Sequence, residues 1–184
     1  MTTERANITL RREVTADDSA QIARLVAATG FFNAAEIAIA LEIVEERLAK
    51  GTASDYEFVI AEEDSKVVGY ACFGEIPCTV GSYDLYWIVV DPEQQRSGIG
   101  RMLMHDVEQR VGQRTGRGIY IDTSGRDQYS ATRSFYERCG YECVASLPDF
   151  YAPGDAKCIY WKRFVQNDEN TARGLSGNSE RQRI

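Results

Sequence analysis

The sequence is poor in the features that mark disulfide-built, metal-built or membrane-spanning proteins. Its five cysteines, Cys72, Cys78, Cys139, Cys143 and Cys158, form no Cys-x-x-Cys pair, and their number is odd. The opening Met-Thr-Thr-Glu-Arg has no apolar secretory segment. Together these imply reduced core thiols in a cytoplasmic protein, with no metal site. No apolar run approaches the roughly 20 residues a membrane helix needs, so no membrane partner is expected. Positive charge is also scarce: 21 Lys and Arg face 28 Asp and Glu, a formal net charge of -7. That balance argues against electrostatic nucleic-acid binding and suits a cationic partner such as an amine.

What is present is ordinary for a globular chain: 43% hydrophobic and 27% charged residues in a length of 184. One domain with a sizeable core is expected over 1–165, followed by a flexible polar tail over 166–184. Residues 7–14 alternate as a first strand. Thr15 or Asp17 can cap a helix bearing Ile22, Leu25 and Val26, which Gly30-Phe31-Phe32 breaks. Asn33 and Glu36 have capping-box spacing, and Ile37, Leu41, Val44 and Leu48 mark the buried face of a second helix ending at Lys50-Gly51. Residues 56–62 and 66–74 read as a hairpin about Asp64-Ser65. Residues 117–122 form a later strand. A helix carries Phe135 and Tyr136, and residues 141–145 and 158–164 are a last pair of strands. Between them Ala152-Pro153-Gly154-Asp155 has a type II turn signature.

The chain is organised around residues 83–111. Tyr83-Asp-Leu-Tyr-Trp-Ile-Val-Val90 is a strand rich in aromatic and β-branched residues, stopped by Asp91-Pro92. Gln95-Arg96-Ser97-Gly98-Ile99-Gly100 follows, then a helix with Leu103, Val107 and Val111 on one face. Strand, glycine turn and helix in that order offer unpaired amides and a helix dipole to a pyrophosphate. The pattern is no dinucleotide fingerprint, because Leu103 stands where a third glycine would fall.

The longer pattern V-x-P-x-x-Q-x-x-G-x-G resembles the acetyl-CoA motif of the GNAT N-acetyltransferase superfamily. Phe135-Tyr136-Glu-Arg-Cys-Gly140-Tyr141 is similar to the family's second motif, and the likeness spans roughly residues 7 to 164. It implies an α/β fold: a mixed, mostly antiparallel sheet of six to seven strands flanked by about four helices. The sheet would be splayed where the pantetheine arm lies. The implied activity is direct transfer of acetyl from acetyl-CoA to a primary amine, whether a small amine, an amino acid or a peptide N-terminus. A homodimer is left open. Two alternatives also stand: an acyl-CoA-binding regulatory domain without turnover, and transfer of a longer acyl group.

Such transfer needs an amine that has lost its proton, donors for the oxyanion and a proton for the departing thiolate. Tyr136 matches the family's general-acid tyrosine. Asp84 falls where some members carry a catalytic glutamate, and Glu75, ending the preceding strand, is the next candidate base. Tyr86 shares the face of Asp84 and would orient the amine or a water. His105 lies about 200° round the helix from Leu103 and points away from the core. The resemblance puts the pantetheine along Ile88, Val89 and Val90, with an oxyanion donor at the amide of Val89 or Val90. It puts the pyrophosphate on the amides of Gln95, Arg96, Ser97, Gly98, Ile99, Gly100 and Arg101. The acceptor would lie between Phe31 and Phe32 and the segment holding Asp149, Tyr151 and Asp155. Tyr129 stands where many members have an asparagine that holds the pantetheine; Thr123 and Ser124 offer substitute hydroxyls.

Overall fold

The computed structural model describes residues 7–164, so the expected tail lies outside the described residues. The elements are β1 (Thr9–Arg11), α1 (Asp18–Ala28), α2 (Ala34–Lys50), β2 (Glu57–Glu63), β3 (Lys66–Glu75), β4 (Ser82–Val90), α3 (Ile99–Gln113), β5 (Gly118–Ser124), α4 (Ser130–Arg138), β6 (Glu142–Ala152) and β7 (Asp155–Arg163). The seven strands make one sheet in the order β1-β2-β3-β4-β5-β7-β6. Among the described residues every pairing is antiparallel except that of β4 with β5. No helix among the described residues is long and apolar enough to cross a membrane.

Both faces of the sheet are covered. Ile99, Leu103, Met104, Val107 and Val111 of α3 pack with Val59, Val68, Ala71 and Phe73. Ile22, Leu25, Val26 and Val44 of α1 and α2 pack on Phe58, Ile60, Tyr70 and Cys72 of the opposite face. This explains why β2 and β3 read as nearly continuous apolar runs: a strand covered on both sides has no polar alternation to show.

Two irregularities shape the centre. Cys72 pairs with Trp87 but Phe73 with Leu85, which leaves Tyr86 as the extra residue of a β-bulge. The bulge reverses the facing of the strand. Before it Tyr83 and Leu85 join the α3 cluster; after it Ile88 and Val90 do, while Trp87 and Val89 turn to the α1–α2 side. The second irregularity is the short β4–β5 ladder, which consists of Ser82–Gly118, Tyr83–Ile119 and Asp84–Tyr120 and then stops. Both strands continue, so a gap opens between them.

Local expectations hold in most places. Asn33 and Glu36 form the reciprocal capping box, and Gly154 takes a φ of 80°, as position i+2 of a type II turn requires. At α1 the expected caps do not form. Asp17 occupies the N-cap position without a side-chain bond. Instead, fully buried Asp18 accepts hydrogen bonds from the Thr15 amide (2.6 Å) and from Arg11 (2.9 Å). The last strand pair is longer than expected, because β6 and β7, after a break in register between Leu147 and Ala152, pair again at Ala152–Asp155. The cysteines also differ from expectation: Cys72 is buried, but Cys78 and Cys143 are exposed.

Two glycines test this packing in opposite directions. A Cβ at Gly118 would lie 2.5 Å from Trp161 Nε1 and 2.8 Å from the Lys162 carbonyl oxygen, at the start of the β5 ladders. Gly112, inside α3, has nothing within 4 Å of that position. Gly118→Ala should destabilise by about 1–3 kcal/mol through overpacking. Gly112→Ala should stabilise by about 0.5–1 kcal/mol through helix propensity. Urea unfolding of the two variants checks both signs.

Candidate functional site

The gap between β4 and β5 opens into a cavity of about 770 Å³. Tyr86 to Val90 of β4 form one wall and Asp122, Thr123 and Ser124 of β5 the other. Phe31, Phe32, Asn33 and Glu36 cover it from the α1–α2 side, Tyr129 from the turn before α4, Thr132 and Tyr136 from α4, and Tyr151 and Asp155 from the β6–β7 hairpin. A smaller recess of about 290 Å³ adjoins it, lined by Asp84, Tyr120, Lys157 and the shared Asp122.

Phe31, Phe32, Tyr86, Ile88, Val89, Val90, Gln95, Tyr136 and Tyr151 meet here, the segment from Arg96 to Arg101 lies outside the lining, and Glu75, Asp149 and Asp84 stand apart. Glu75 lies outside both hollows. It is exposed, and its carboxylate accepts the Gly81 amide at 3.4 Å, because β3 has run past the gap by that point. Asp149 is also outside; it takes a φ of 54° and accepts the Gly154 amide at 2.7 Å, so it shapes the hairpin turn. Asp84 lines the recess and not the main cavity. His105 is exposed, as its helical position implies.

Backbone geometry decides which amides face the gap. Asp91 N–H donates to Val68 at 2.8 Å, which makes Asp91–Val68 a hydrogen-bonded pair. Alternation along an antiparallel ladder then directs the amides of Val89 and Trp87 to β3, and those of Ile88 and Val90 away from it. With β5 diverged, the Ile88 and Val90 amides point into the gap. Val89 is therefore excluded as an oxyanion donor.

After Gln95, which lines the cavity, Arg96 and Gly98 both take positive φ, 66° and 99°. Gly98 is the N-cap of α3 and offers no side-chain cap. Met102 is the first amide to find a helical acceptor, at Gly98 (3.0 Å). The amides of Ile99, Gly100 and Arg101 are thus available to an anion. The two glycines play different parts. Open space surrounds Gly98, whereas a Cβ at Gly100 would touch the Phe135 ring at 3.4 Å. Gly98 thus leaves its surface open to an anion, whereas Gly100 stands beside the Phe135 ring, where a Cβ would make ordinary van der Waals contact.

Tyr136 is buried, with ring centroids 5.8 Å from Tyr160 and 6.4 Å from Tyr141. Its hydroxyl has no hydrogen-bond partner among the described residues, and burial pushes its pKa far up, so it stays protonated. Tyr86 is pushed up to about 12, chiefly by burial and then by Asp84. Asp84 is half-buried, with no hydrogen bond or ion pair among the described residues. Burial first and neighbouring Asp122 second raise its pKa, while Lys157 opposes them.

Trp87 and Asp122 carried no sequence signal as site residues, and the expected Tyr129 and Asp155 make contacts the sequence did not show. Trp87 reaches the cavity because of the bulge and meets Phe32 at 4.9 Å. Tyr129 meets Phe31 at 5.6 Å, so the residue in the asparagine position bridges to the α1–α2 loop. Asp122 pairs with Lys157; Asp155 is buried and takes Ser124 Oγ (2.6 Å) and Arg126 (3.0 Å).

The description acetyltransferase (GNAT) domain matches residues 54–143. A crystal structure described as an acetyltransferase of the GNAT family, from Desulfovibrio desulfuricans, is 44% identical. It superposes with a TM-score of 0.84 over 85% of this chain and 99% of that one. The chain belongs to the GNAT family and is an acetyltransferase. It is also 25% identical, over 59% of its length and 67% of the relative's, to the S-(2-succino)cysteine N-acetyltransferase of Bacillus subtilis (strain 168). The fold alone is shared with an aminoglycoside 6′-N-acetyltransferase complexed with coenzyme A. That protein is 20% identical, with a TM-score of 0.67, over 87% of this chain and 98% of that one.

The raised Asp84 carries a stability consequence. A carboxyl whose folded pKa exceeds its unfolded value favours the native state only while protonated, and its ionisation opposes folding as pH rises. Asp84→Asn removes that opposition. Its unfolding free energy relative to wild type should therefore increase from about pH 4 upwards, then level off once Asp84 is fully ionised in both states. Denaturant titrations at several pH values check the sign.

Proposed function

We propose that the protein transfers acetyl from acetyl-CoA to a primary amine, be it a small amine, an amino acid or a peptide N-terminus. The observation that carries this reading is the partnerless, protonated Tyr136 hydroxyl opposite the free amides of β4. Bound acetyl-CoA supplies the thioester. The amides of Ile99, Gly100 and Arg101 receive its pyrophosphate, with Arg96 and Arg101 adding charge. Thr123 and Ser124 lie where the pantetheine would run. The complex of the aminoglycoside enzyme with coenzyme A supports this placement by fold.

Asp84, reaching across the shared Asp122 boundary directly or through a water, takes a proton from the attacking ammonium. The N–C bond forms, and Ile88 or Val90 N–H meets the developing oxyanion. As the C–S bond breaks and the oxyanion returns to a carbonyl, Tyr136 gives its proton to the sulfur, and the second proton leaving the nitrogen restores the Tyr136 hydroxyl through solvent. A raised pKa suits Asp84 to this work, since a better base near neutrality is still ionised enough to act. We further place the protein in the cytoplasm, in keeping with five cysteines that form no disulfide.

Tyr136→Phe removes one hydroxyl and little packing. The turnover number should fall at least about tenfold, with CoA affinity unchanged by calorimetry, because a general acid contributes about 100- to 10,000-fold. Wild-type turnover in a regime limited by chemistry would leave Tyr136 a packing residue. Asp84→Asn should lose most of its kcat/KM near pH 7 and regain it towards about pH 10, where a lysine-like amine sheds its own proton. A deficit independent of pH would make Asp84 an ammonium anchor instead of a base.

A further inference from the structure

The walls on the acceptor side are aromatic to an unusual degree. Phe31, Phe32, Tyr86, Trp87, Tyr129 and Tyr151 all line the cavity. They are not simply one packed cluster: Phe31 is 39% exposed and Tyr151 49%, so apolar area remains uncovered beside the gap. At the junction with the recess the charges are uneven. Asp122 is taken by Lys157 and Asp155 by Arg126, but Asp84 has no cation of its own.

One added ammonium would bring the group Asp84, Asp122 and Lys157 to neutrality. An acceptor bearing a carboxylate beside its amine would add a negative charge back, and both nearby cations, Lys157 and Arg126, are already paired. The protein holds an ammonium of its own in this way: Lys157 Nζ lies between the Asp122 carboxylate and the Phe150 ring, 4.8 Å from the ring centroid.

Resting on the transferase reading, we infer that the acceptor is a monocationic primary amine with a flat apolar body and no carboxylate. Its ammonium sits at the Asp84–Asp122 junction and its body lies against the walls of Phe31, Tyr129 and Tyr151. Buried rings and a matched charge both favour this class over an amino acid. It differs from the modified amino acid in the name of the Bacillus subtilis relative.

Three probes of graded chemistry test it: phenethylamine, ethylamine and L-phenylalanine, with acetyl-CoA and thiol release as readout. Phenethylamine should exceed each of the others in kcat/KM by at least about tenfold, the scale on which pockets discriminate apolar bodies. Phe31→Ala should cut the phenethylamine-to-ethylamine ratio several-fold. Equal rates for ethylamine and phenethylamine would overturn the aromatic recognition, and L-phenylalanine as the best acceptor would overturn the charge assignment. Calorimetric titration of the CoA-loaded protein with the same compounds reads the preference without turnover. Bound acetyl-CoA with no thiol release from any compound would sink the transferase reading, while the order of binding still decides the class.

Discussion

Strands β4 and β5 share three residue pairs and then part, and the rest of the site follows from that parting. A parallel pair that stayed together would satisfy the Ile88 and Val90 amides and leave no room for a substrate. The bulge at Tyr86 and the divergence beyond Asp84–Tyr120 act together. The bulge keeps apolar side chains on the α3 face while turning Trp87 to the acceptor side. The divergence leaves the Ile88 and Val90 amides facing the gap. Unpaired backbone donors are costly inside a protein unless something meets them. Here the open cavity lets solvent meet them in the resting enzyme and lets a ligand replace it.

Tyr136 depends on the same frame from the other side. Its ring sits against Tyr141 and Tyr160, and the Tyr160 hydroxyl donates to Glu137 at 3.1 Å. That surround fixes the ring while leaving its own hydroxyl free, which is what a proton donor requires. Asp84 shows the corresponding conflict on β4. Half-burial near Asp122 works against its ionised form, and no neighbour relieves it by a hydrogen bond. A structural carboxylate would have such a partner, as Asp18 has Arg11 and Asp155 has Arg126. Asp84 has none, and its raised pKa follows from that half-buried setting.

Local and global signals differed in how well the sequence displayed them. The capping box at Asn33, the glycine turn into α3 and the Phe135-Tyr136 pair are short-range patterns, and the order of elements follows from them. The placement of Glu75 and Asp149 was not legible, because it depends on where a strand stands relative to the gap. Nor could the sequence tell Val89 from Val90 as donor, since that rests on the parity of a ladder whose register a bulge shifts. Spacing suggests that Gly98 and Gly100 do one job. The structure separates them: Gly98 takes a positive φ in open space, whereas Gly100 lies beside the Phe135 ring.

The residue in the usual asparagine position is more than a loss. An asparagine there could not stack on a ring, whereas Tyr129, at the N-cap of α4, meets Phe31 on the α1–α2 loop. Phe32, next in sequence, meets Trp87 on β4. Two consecutive rings therefore tie one loop to both sides of the gap. The loop begins at Gly30, with a φ of 70°, and Thr29 Oγ donates to the Val26 carbonyl at 2.7 Å, so its start is also fixed. A wall held at both ends loses less entropy when a substrate packs on it than a free loop would. A ring in this position thus gives the cavity a preorganised apolar wall that an amide side chain would not.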